Sequence, residues 1–366
     1  MFGCEGNKGM RNIASKLILL AVAATLMGLV PQRAEAAAKK EFKVAWSIYV
    51  GWMPWGWAND NGVVKKWADK YGITINVVQF NDYVESINQY TAGAFDAVTV
   101  TNMDALSVPA AGGVDTTAVI VGDFSNGNDA VILKNKAALA DIKGQKVNLV
   151  EFSVSHYLLA RALESAKLTE RDVTVVNTSD ADLVAAYKTP SVGAVVTWNP
   201  LVSEILASPD AKSVFDSSQI PGEIMDLMVA NTAMLQDNPV LGKALAGIWY
   251  ETMQVMTAQT EAGRAARAAM GKASGADLAS FDHQLAATSL FAKAPDAVAF
   301  THSPEIGTTM DRVRHFLFEK NLLGNGATSV DAIGIELADG KHLGDTKNVK
   351  LRFTDTFMAA AAGDKL

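Results

Sequence analysis

The sequence predicts an α/β protein built from two lobes with a central cleft. Apolar, strand-like runs alternate with amphipathic, helix-like stretches, and the alternation restarts after a polar segment at Asp123–Asp129 (DFSNGND). A second polar segment, Ile220–Glu223 (IPGE), precedes another apolar run and would be a return crossing. Alternating strands and helices favour mostly parallel sheets covered by helices on both faces. Two crossings between two such lobes would act as hinges.

The first series of elements comes from apolar runs rich in β-branched and aromatic residues, and from apolar spacing near 3.6 residues. The predicted strands are Lys43–Tyr49, Thr74–Gln79, Ala97–Thr101 and Thr116–Val121. The predicted helices are Gly62–Tyr71 and Tyr83–Gly93.

The second series repeats this pattern and ends in a helical region. Its predicted strands are Asp129–Leu133, Lys146–Glu151, Val173–Asn177 and Ala194–Thr197, with Met225–Ala230 as the return strand. Its predicted helices are His156–Ala166 and Ala181–Tyr187, followed after the return by Leu241–Met256, Ala276–Phe291 and Pro304–Lys320. A turn-rich segment at Ile333–Phe353 is typical of a hairpin.

The N-terminal segment has the layout of a secretory signal peptide. Basic residues precede the apolar run Leu17–Val30, and Ala34-Glu35-Ala36 forms a small-x-small cleavage site. The apolar run is shorter than the roughly 20 residues that span a bilayer as a helix. We therefore expect cleavage near Ala36 and a periplasmic protein without membrane insertion; an uncleaved N-terminal anchor helix is the alternative.

Composition and charge narrow the class of protein. The single cysteine, Cys4, precedes the expected cleavage site, so the mature chain would have no disulfide and no thiolate. The chain carries a net charge of −7, and residues 1–36 contribute +2, which leaves −9 for the remainder. An acidic balance disfavours nucleic acid and anionic lipid as partners. We expect a monomer without cofactor or metal, organised as a signal peptide (1–36), first part of lobe 1 (37–128), lobe 2 (129–228) and the return of lobe 1 with C-terminal helices (229–366).

Candidate binding residues follow the predicted strands, because ligands of open α/β sheets bind beyond the carboxyl ends of strands. Gly51–Trp57 (GWMPWGW) predicts an irregular loop whose tryptophans either line the cleft or plug the core beneath it. Asp82 and Asp104 are either ligand carboxylates or helix N-caps. The predicted ligand-binding residues are Trp52, Trp55, Asp82, Asp104, Asp123, Glu151, Ser153, Trp198 and Asp226.

Enzyme motifs do not support a catalytic role. The sequence contains no G-x-S-x-G, no Walker lysine loop and no G-x-G-x-x-G after a strand. The proximity of Ser153 and His156 is local adjacency without a supporting triad. We expect no catalytic residues.

Four passages resemble the solute-binding proteins of ABC importers in the nitrate/sulfonate/taurine-type branch: Val44–Gly62, Asp123–Lys134, Ala140–Ala162 and Ala194–Pro200. The segments SVSHYLL, VVTWNP and IPGEIMD are more narrowly similar to binding proteins of importers linked to urea carboxylase, a pathway that handles guanidine. The resemblance implies a type II periplasmic-binding-protein fold, a ligand held between the lobes, and delivery to an ABC permease with its ATPase. It leaves open a sensory protein, or an enzyme like those of thiamine pyrimidine synthesis on the same fold.

The charge of the candidate loops discriminates among small ligands. Those loops carry Asp82, Asp104, Asp123, Asp129, Glu151 and Asp226, with no Arg or Lys. Guanidinium is flat, cationic and donor-only, so it needs carboxylates at its edge and an aromatic face. Nitrate and sulfonates would need basic groups or helix N-termini instead. We expect guanidinium first, then urea, with another small amine, amide or sulfonate as the alternative, captured by hinge closure.

Overall fold

Two mixed β-sheets organise the chain in the computed structural model, which describes residues 1–3 and 39–366. The basic start, the apolar run and the cleavage site of the expected signal peptide lie outside the described residues. Among those described, no helix combines the length and the apolarity needed to cross a bilayer.

The nine-stranded sheet and its helices are called the large lobe. Its strand order is β13-β12-β14-β4-β10-β3-β1-β2, and β11 pairs with β4 at one end. The strands are β1 (Glu41–Ser47), β2 (Thr74–Phe80), β3 (Ala97–Thr101), β4 (Thr116–Ser125), β10 (Met225–Asn231), β11 (Thr288–Leu290), β12 (Gly334–Glu336), β13 (His342–Leu343) and β14 (Val349–Phe353).

The five-stranded sheet and its helices are called the small lobe. Its strand order is β7-β6-β8-β5-β9. The strands are β5 (Asp129–Lys134), β6 (Lys146–Leu149), β7 (Thr174–Asn177), β8 (Ala194–Trp198) and β9 (Ala211–Asp216).

Helices cover both sheets. In the large lobe they are α1 (Met53–Asp60), α2 (Val63–Lys70), α3 (Tyr83–Thr91), α4 (Asn102–Ala105), α8 (Thr232–Asp237), α9 (Pro239–Met256), α10 (Glu261–Ala273), α11 (Leu278–Ala286), α12 (Ala294–Thr301), α13 (Pro304–Glu319) and α14 (Thr356–Ala362). In the small lobe they are α5 (Val154–Ser165), α6 (Asp180–Lys188) and α7 (Leu201–Leu206).

The predicted fold class is confirmed, with one correction to the sheets. Each sheet is mixed, because the strands that follow the crossings run antiparallel to both of their neighbours. These strands are β10, between β3 and β4, and β5, between β8 and β9. No α-helix lies between β4 and β5 or between β9 and β10, where the second crossing contains only a short 3-10 turn at Ser217–Gln219. Parallel pairs such as β1 with β2 and β6 with β7 are joined by helical crossovers.

Local structure departs from the sequence prediction around the tryptophan cluster. The segment expected to be an irregular loop is helix α1, with Pro54 in its first turn. A proline there costs no helical hydrogen bond, because the first N–H groups have no intrahelical partner. Gly56 serves close packing: a Cβ atom at that position would lie 2.5 Å from the Trp46 ring. The helix predicted at Ala276–Phe291 ends at Ala286, after which β11 pairs with β4.

The two crossings between the lobes are joined by hydroxyl groups. The Ser125 and Ser217 hydroxyls lie 2.7 Å apart. The Ser217 hydroxyl also accepts from the Gly127 N–H at 2.8 Å, while the Ser125 hydroxyl accepts from the Asp129 N–H at 3.2 Å. These bonds hold the ends of both crossings together, so the start of β5 has a fixed position relative to the end of β4.

Candidate functional site

A small cavity lies between the two lobes. Its large-lobe wall comes from the end of the β1–α1 connection, from α3, from the end of β3 and from β10, whereas its small-lobe wall comes from β5, α5 and β8. The lining residues are Tyr49, Trp52, Tyr83, Thr101, Asp129, Val154, Trp198, Ile224 and Asp226.

Aromatic rings form a continuous row along this cavity. The Tyr49 and Trp52 ring centroids lie 5.2 Å apart, those of Trp52 and Tyr83 lie 5.6 Å apart, and those of Tyr83 and Trp198 lie 5.5 Å apart. Tyr83 and Trp198 meet edge to face across the junction of the lobes. Trp52 Nε1 is buried and has no hydrogen-bond partner among the described residues. Such rings offer apolar faces that attract a flat cation.

Strand register brings the acidic residues to the same cavity. Asp226 of β10 lies opposite Thr101 of β3 on one side and opposite Asp123 of β4 on the other. Asp129 is the first residue of β5 and lies opposite Trp198, the last residue of β8. The large lobe therefore presents Asp226 to the cavity, and the small lobe presents Asp129 beside an indole ring.

Asp104 connects the two lobes beside the cavity. Its Oδ2 accepts from the Tyr83 hydroxyl at 2.7 Å and from the Thr101 hydroxyl at 2.9 Å. The same oxygen accepts from the Val154 N–H at the start of α5, at 3.3 Å. Asp104 thus orients two cavity-lining side chains, and it gains its third donor from the opposite lobe.

Burial makes the four carboxyl groups hard to ionise. The side chains of Asp104, Asp123, Asp129 and Asp226 are at most 4% exposed. Burial raises the pKa of Asp104 to about 6 and the pKa values of Asp123 and Asp129 to about 7. Burial and the neighbouring Asp123 raise the pKa of Asp226 well above its usual range. None of the cavity-lining residues is basic, so no protein cation offsets this cost there.

Three of the predicted ligand-binding residues line the cavity: Trp52, Trp198 and Asp226. Trp55 and Asp123 lie behind it, in a second small chamber inside the large lobe. Trp55 stacks there on Trp249, with ring centroids 5.6 Å apart, as part of the core. The second chamber shares Trp52 and Asp226 with the cavity.

The other predicted residues serve local structure and do not line the cavity. Asp82 is the N-cap of α3, accepting from the Glu85 N–H at 2.9 Å and from the Ser179 hydroxyl at 3.0 Å. Ser153 is the N-cap of α5 and donates to the Val150 carbonyl at 2.8 Å. Glu151 follows β6 with a partly exposed side chain outside the cavity lining. Asp82 is therefore a helix cap, which is one of the two roles predicted for it, and Glu151 and Ser153 do not line the cavity.

Four polar or aromatic lining residues were not selected from the sequence: Tyr49, Tyr83, Thr101 and Asp129. Asp129 belongs to the acidic residues of the candidate loops, but only the register of β5 with β8 places it opposite Trp198 at the cavity. Tyr83 is the first residue of α3 and follows the capping residue Asp82. The search for polar residues just after each strand therefore selected Asp82 and not Tyr83. Within the described residues, no group of His, Cys, Asp and Glu is arranged to hold a metal ion.

Comparisons with known proteins identify the family of the chain. A Brucella abortus (strain 2308) protein, provisionally named a binding protein, is 24% identical over 204 residues, which are 53% of this chain and 60% of that protein. The chain therefore matches less than two thirds of the length of that relative. The taurine-binding periplasmic protein of Escherichia coli (strain K12) is 23% identical over 131 residues, which are 35% of this chain and 40% of that protein.

Solved structures share the fold. The alkanesulfonate-binding protein of Xanthomonas axonopodis pv. citri, bound to MOPS, superposes with a TM-score of 0.64 at 17% identity, covering 79% of this chain and 96% of that one. The aliphatic sulphonate-binding protein of Escherichia coli gives a TM-score of 0.63 at 18% identity, covering 78% and 94%. The family model described as NMT1-like matches residues 43–270. The chain belongs to the NMT1-like family and has the two-lobed fold of periplasmic binding proteins.

Proposed function

We propose that this chain is the periplasmic solute-binding protein of an ABC importer and that it captures guanidinium between its lobes. The observation that carries the proposal is the composition of the interlobe cavity: Asp129 and Asp226 from opposite lobes, four aromatic rings, and no basic residue among the described lining residues. The expected signal peptide, the delivery to a permease and its ATPase, and a lobe boundary at 128/129 belong to this proposal, whereas the boundary predicted at 228/229 falls inside β10 of the large lobe. A binding role without catalysis agrees with the names of the relatives.

The charge of the cavity argues against the ligands named for the relatives. Alkanesulfonates and taurine carry an anionic group, which requires Arg, Lys or free N–H donors around it. Here the N–H at the start of α5, from Val154, already donates to Asp104. An anion would have to lie beside Asp129 and Asp226, where like charges disfavour it. The ligand class therefore differs from that of the named relatives, although the fold is shared.

The chemistry of the cavity lining suits a small flat cation. Guanidinium has N–H donors along its whole edge, and carboxylates on two sides can accept them in the plane of the molecule. Asp129 and Asp226 supply acceptors from opposite lobes, and Trp52, Tyr83 and Trp198 supply ring faces or edges. A cation would also remove the cost of burying these acidic groups without a partner.

Urea is the second candidate, and one observation favours it. Urea is neutral and has one acceptor oxygen, so its site needs a donor as well as acceptors. The Trp52 Nε1–H is a buried donor without a partner among the described residues, and the Trp52 ring lines the cavity. Charge separates the two candidates: replacement of a carboxylate by an amide weakens guanidinium far more than urea.

Capture would proceed by closure of the two lobes on the ligand. The lobes contact each other next to the cavity through the Val154 N–H and Asp104, and at its rim through the Ser179 hydroxyl and Asp82. Both contacts join a small-lobe donor to a large-lobe carboxylate, so closure leaves each acceptor with an additional donor. Enclosure excludes water and strengthens the interaction of the remaining carboxylates with a cation.

Calorimetry on the purified chain lacking residues 1–36 tests the proposal. Guanidinium chloride at micromolar to millimolar concentration, urea, taurine and sodium nitrate are titrated at pH 7.5 under matched ionic strength. We expect guanidinium to bind more tightly than urea, with no measurable heat from taurine or nitrate. Tight binding of taurine or nitrate without binding of guanidinium would contradict the proposal. Glu151→Gln serves as the charge control, because it removes a carboxylate near the cleft that does not line the cavity.

A further inference from the structure

Asp123 and Asp226 form a pair of buried carboxyl groups with no basic neighbour in either adjoining cavity. They lie directly opposite each other on the antiparallel strands β4 and β10. Asp226 lines both the interlobe cavity and the second chamber, whereas Asp123 lines only the second chamber. Asp123 is therefore one layer removed from the ligand, behind the carboxylate that faces it.

Among the described residues that line the two cavities around the pair, none is basic. The titratable groups that face it are Tyr49 at the end of the β1–α1 connection, Asp129 at the start of β5, and the two carboxyl groups themselves. Helices α1 and α9 contribute only indole rings from Trp55 and Trp249. The remaining lining of the chamber consists of Trp52, Thr99, Ile120, Gly122, Leu227 and Met228.

Each carboxyl group of the pair has one oxygen without a hydrogen-bond donor among the described residues. The Tyr49 hydroxyl donates to Asp123 Oδ1 at 3.4 Å, but Asp123 Oδ2 and Asp226 Oδ2 have no donor among the described residues. A Cβ atom at Gly51 would lie 2.6 Å from Asp123 Oδ2, so the backbone closes this side of the carboxyl group. The two side chains lie within hydrogen-bonding reach of each other.

We infer that the pair holds one proton, which the Asp226 carboxyl group carries and donates to the Asp123 carboxylate. Two carboxylates in contact inside a protein cannot both stay ionised without a neighbouring cation. Burial raises the pKa of both groups, in agreement with a retained proton at neutral pH. Asp123 is then a positioning residue: its hydrogen bond fixes the orientation of Asp226 toward the interlobe cavity. That consequence for binding rests on the proposed function, but the proton itself does not.

Infrared spectroscopy of the ligand-free protein at pH 8 tests the proton directly. At this pH, Asp104 and Asp129, with pKa values of about 6 and 7, are mostly ionised. We expect the wild type to show the carbonyl stretch of a buried protonated carboxylic acid, shifted in heavy water. Asp123→Asn and Asp226→Asn should each remove the band, whereas Asp104→Asn should retain it. Absence of the band in the wild type, or its persistence in both pair variants, would overturn the inference.

The pH dependence of thermal unfolding without ligand gives a second readout. A carboxyl group with a raised folded-state pKa binds more protons in the folded state than in the unfolded state. The wild type should therefore lose stability as pH rises from about 5 to about 8. Asp123→Asn should make this slope shallower, because an amide supplies the donor without titrating; an unchanged slope would count against the shared proton. Neither readout uses guanidinium, so failure of ligand binding and failure of the shared proton are separate results.

Discussion

Two groups of buried carboxylates at the junction of the lobes have opposite surroundings. Glu223, in the second crossing, accepts from the Tyr157 hydroxyl at 2.7 Å and from Arg161 Nε at 2.8 Å, and it pairs with Arg312 of α13. Asp129 and Asp226, in the interlobe cavity, have no basic neighbour in the lining. The same fold thus neutralises one acidic residue with two arginines and leaves the others without a cation.

This difference in charge pairing assigns a stabilising role to Glu223 and a ligand-binding role to Asp129 and Asp226. Around Glu223, residues of α5 and α13 join the small and large lobes, and Tyr157 also packs edge to face on Phe316 at 5.3 Å. Around Asp129, the Ser125 and Ser217 hydroxyls accept from its backbone N–H, and none of the described residues that line the cavity supplies a cation to its carboxyl group. A buried carboxylate without a partner costs stability, which a bound cation can recover. The unpaired cluster is the region that a ligand completes.

The largest effect is expected for Asp129→Asn. The amide keeps the shape of the side chain but cannot pair with a cation, and loss of one partner of a buried charge pair costs about 2–5 kcal/mol. Guanidinium affinity should fall by about 30-fold or more, whereas urea affinity should change much less. Calorimetry measures both ligands, and thermal unfolding should show no loss of ligand-free stability. Equal losses for guanidinium and urea would contradict the charge model.

Glu223→Gln should lower the stability of the ligand-free protein and leave guanidinium affinity largely unchanged. It leaves Arg161 and Arg312 without their carboxylate and should lower the free energy of unfolding by about 2 kcal/mol, since Arg312 is nearly half exposed and water offsets part of the loss. Urea denaturation of the ligand-free protein measures this change. A variant as stable as the wild type, with guanidinium binding abolished, would show that the two regions do not divide the roles as described.

A smaller effect is expected from pH. The pKa values of Asp104 and Asp129 are raised to about 6 and 7 by burial, so both groups gain charge as pH rises through this range. Guanidinium stays charged throughout, as arginine does. Its affinity should therefore increase by about tenfold between pH 5.5 and 7.5, with proton release on binding. Titrations in buffers of different ionisation enthalpy measure that release, and a pH-independent affinity would contradict this account.

The smallest effect concerns the aromatic wall. Trp198→Phe keeps a ring beside Tyr83 but offers a weaker face to a cation, a difference of about 0.5–1 kcal/mol or a few-fold in affinity. Trp55→Phe is the matched control, because Trp55 lies in the second chamber and stacks on Trp249. It should alter thermal stability without altering affinity. Larger loss of affinity in the control than in Trp198→Phe would place the ligand in the second chamber.

The sequence anticipated the order of strands and helices in both lobes better than it anticipated the site. Hydrophobic patterning encodes β3 and β8, because each is a short apolar run between polar segments. It could not show that β10 runs between β3 and β4, and that arrangement brings Asp226 beside Thr101 and Asp123. Helix α1 was not predicted because proline and glycine are weak helix formers in sequence patterns. In the structure Pro54 lies in the first turn, and Gly56 allows the helix to pack closely against Trp46.

The sequence also could not predict whether a side chain at the end of a strand points into the cavity or away from it. Asp82 and Asp104 both follow a predicted strand, yet Asp82 caps α3 near the surface, while Asp104 lies inside α4 and is buried between the lobes. The same rule selected Glu151 and passed over Asp129, because only the pairing of β5 with β8 places Asp129 opposite Trp198. Strand register, which long-range contacts determine, decides these cases.

A crystal structure of the chain grown with guanidinium chloride tests the central claim most directly. The account predicts a flat ligand in the interlobe cavity, within hydrogen-bonding distance of Asp129 and Asp226 and against the rings of Trp52, Tyr83 or Trp198. An anion bound in that cavity, or guanidinium found only on the outer surface with the cavity occupied by water, would contradict it.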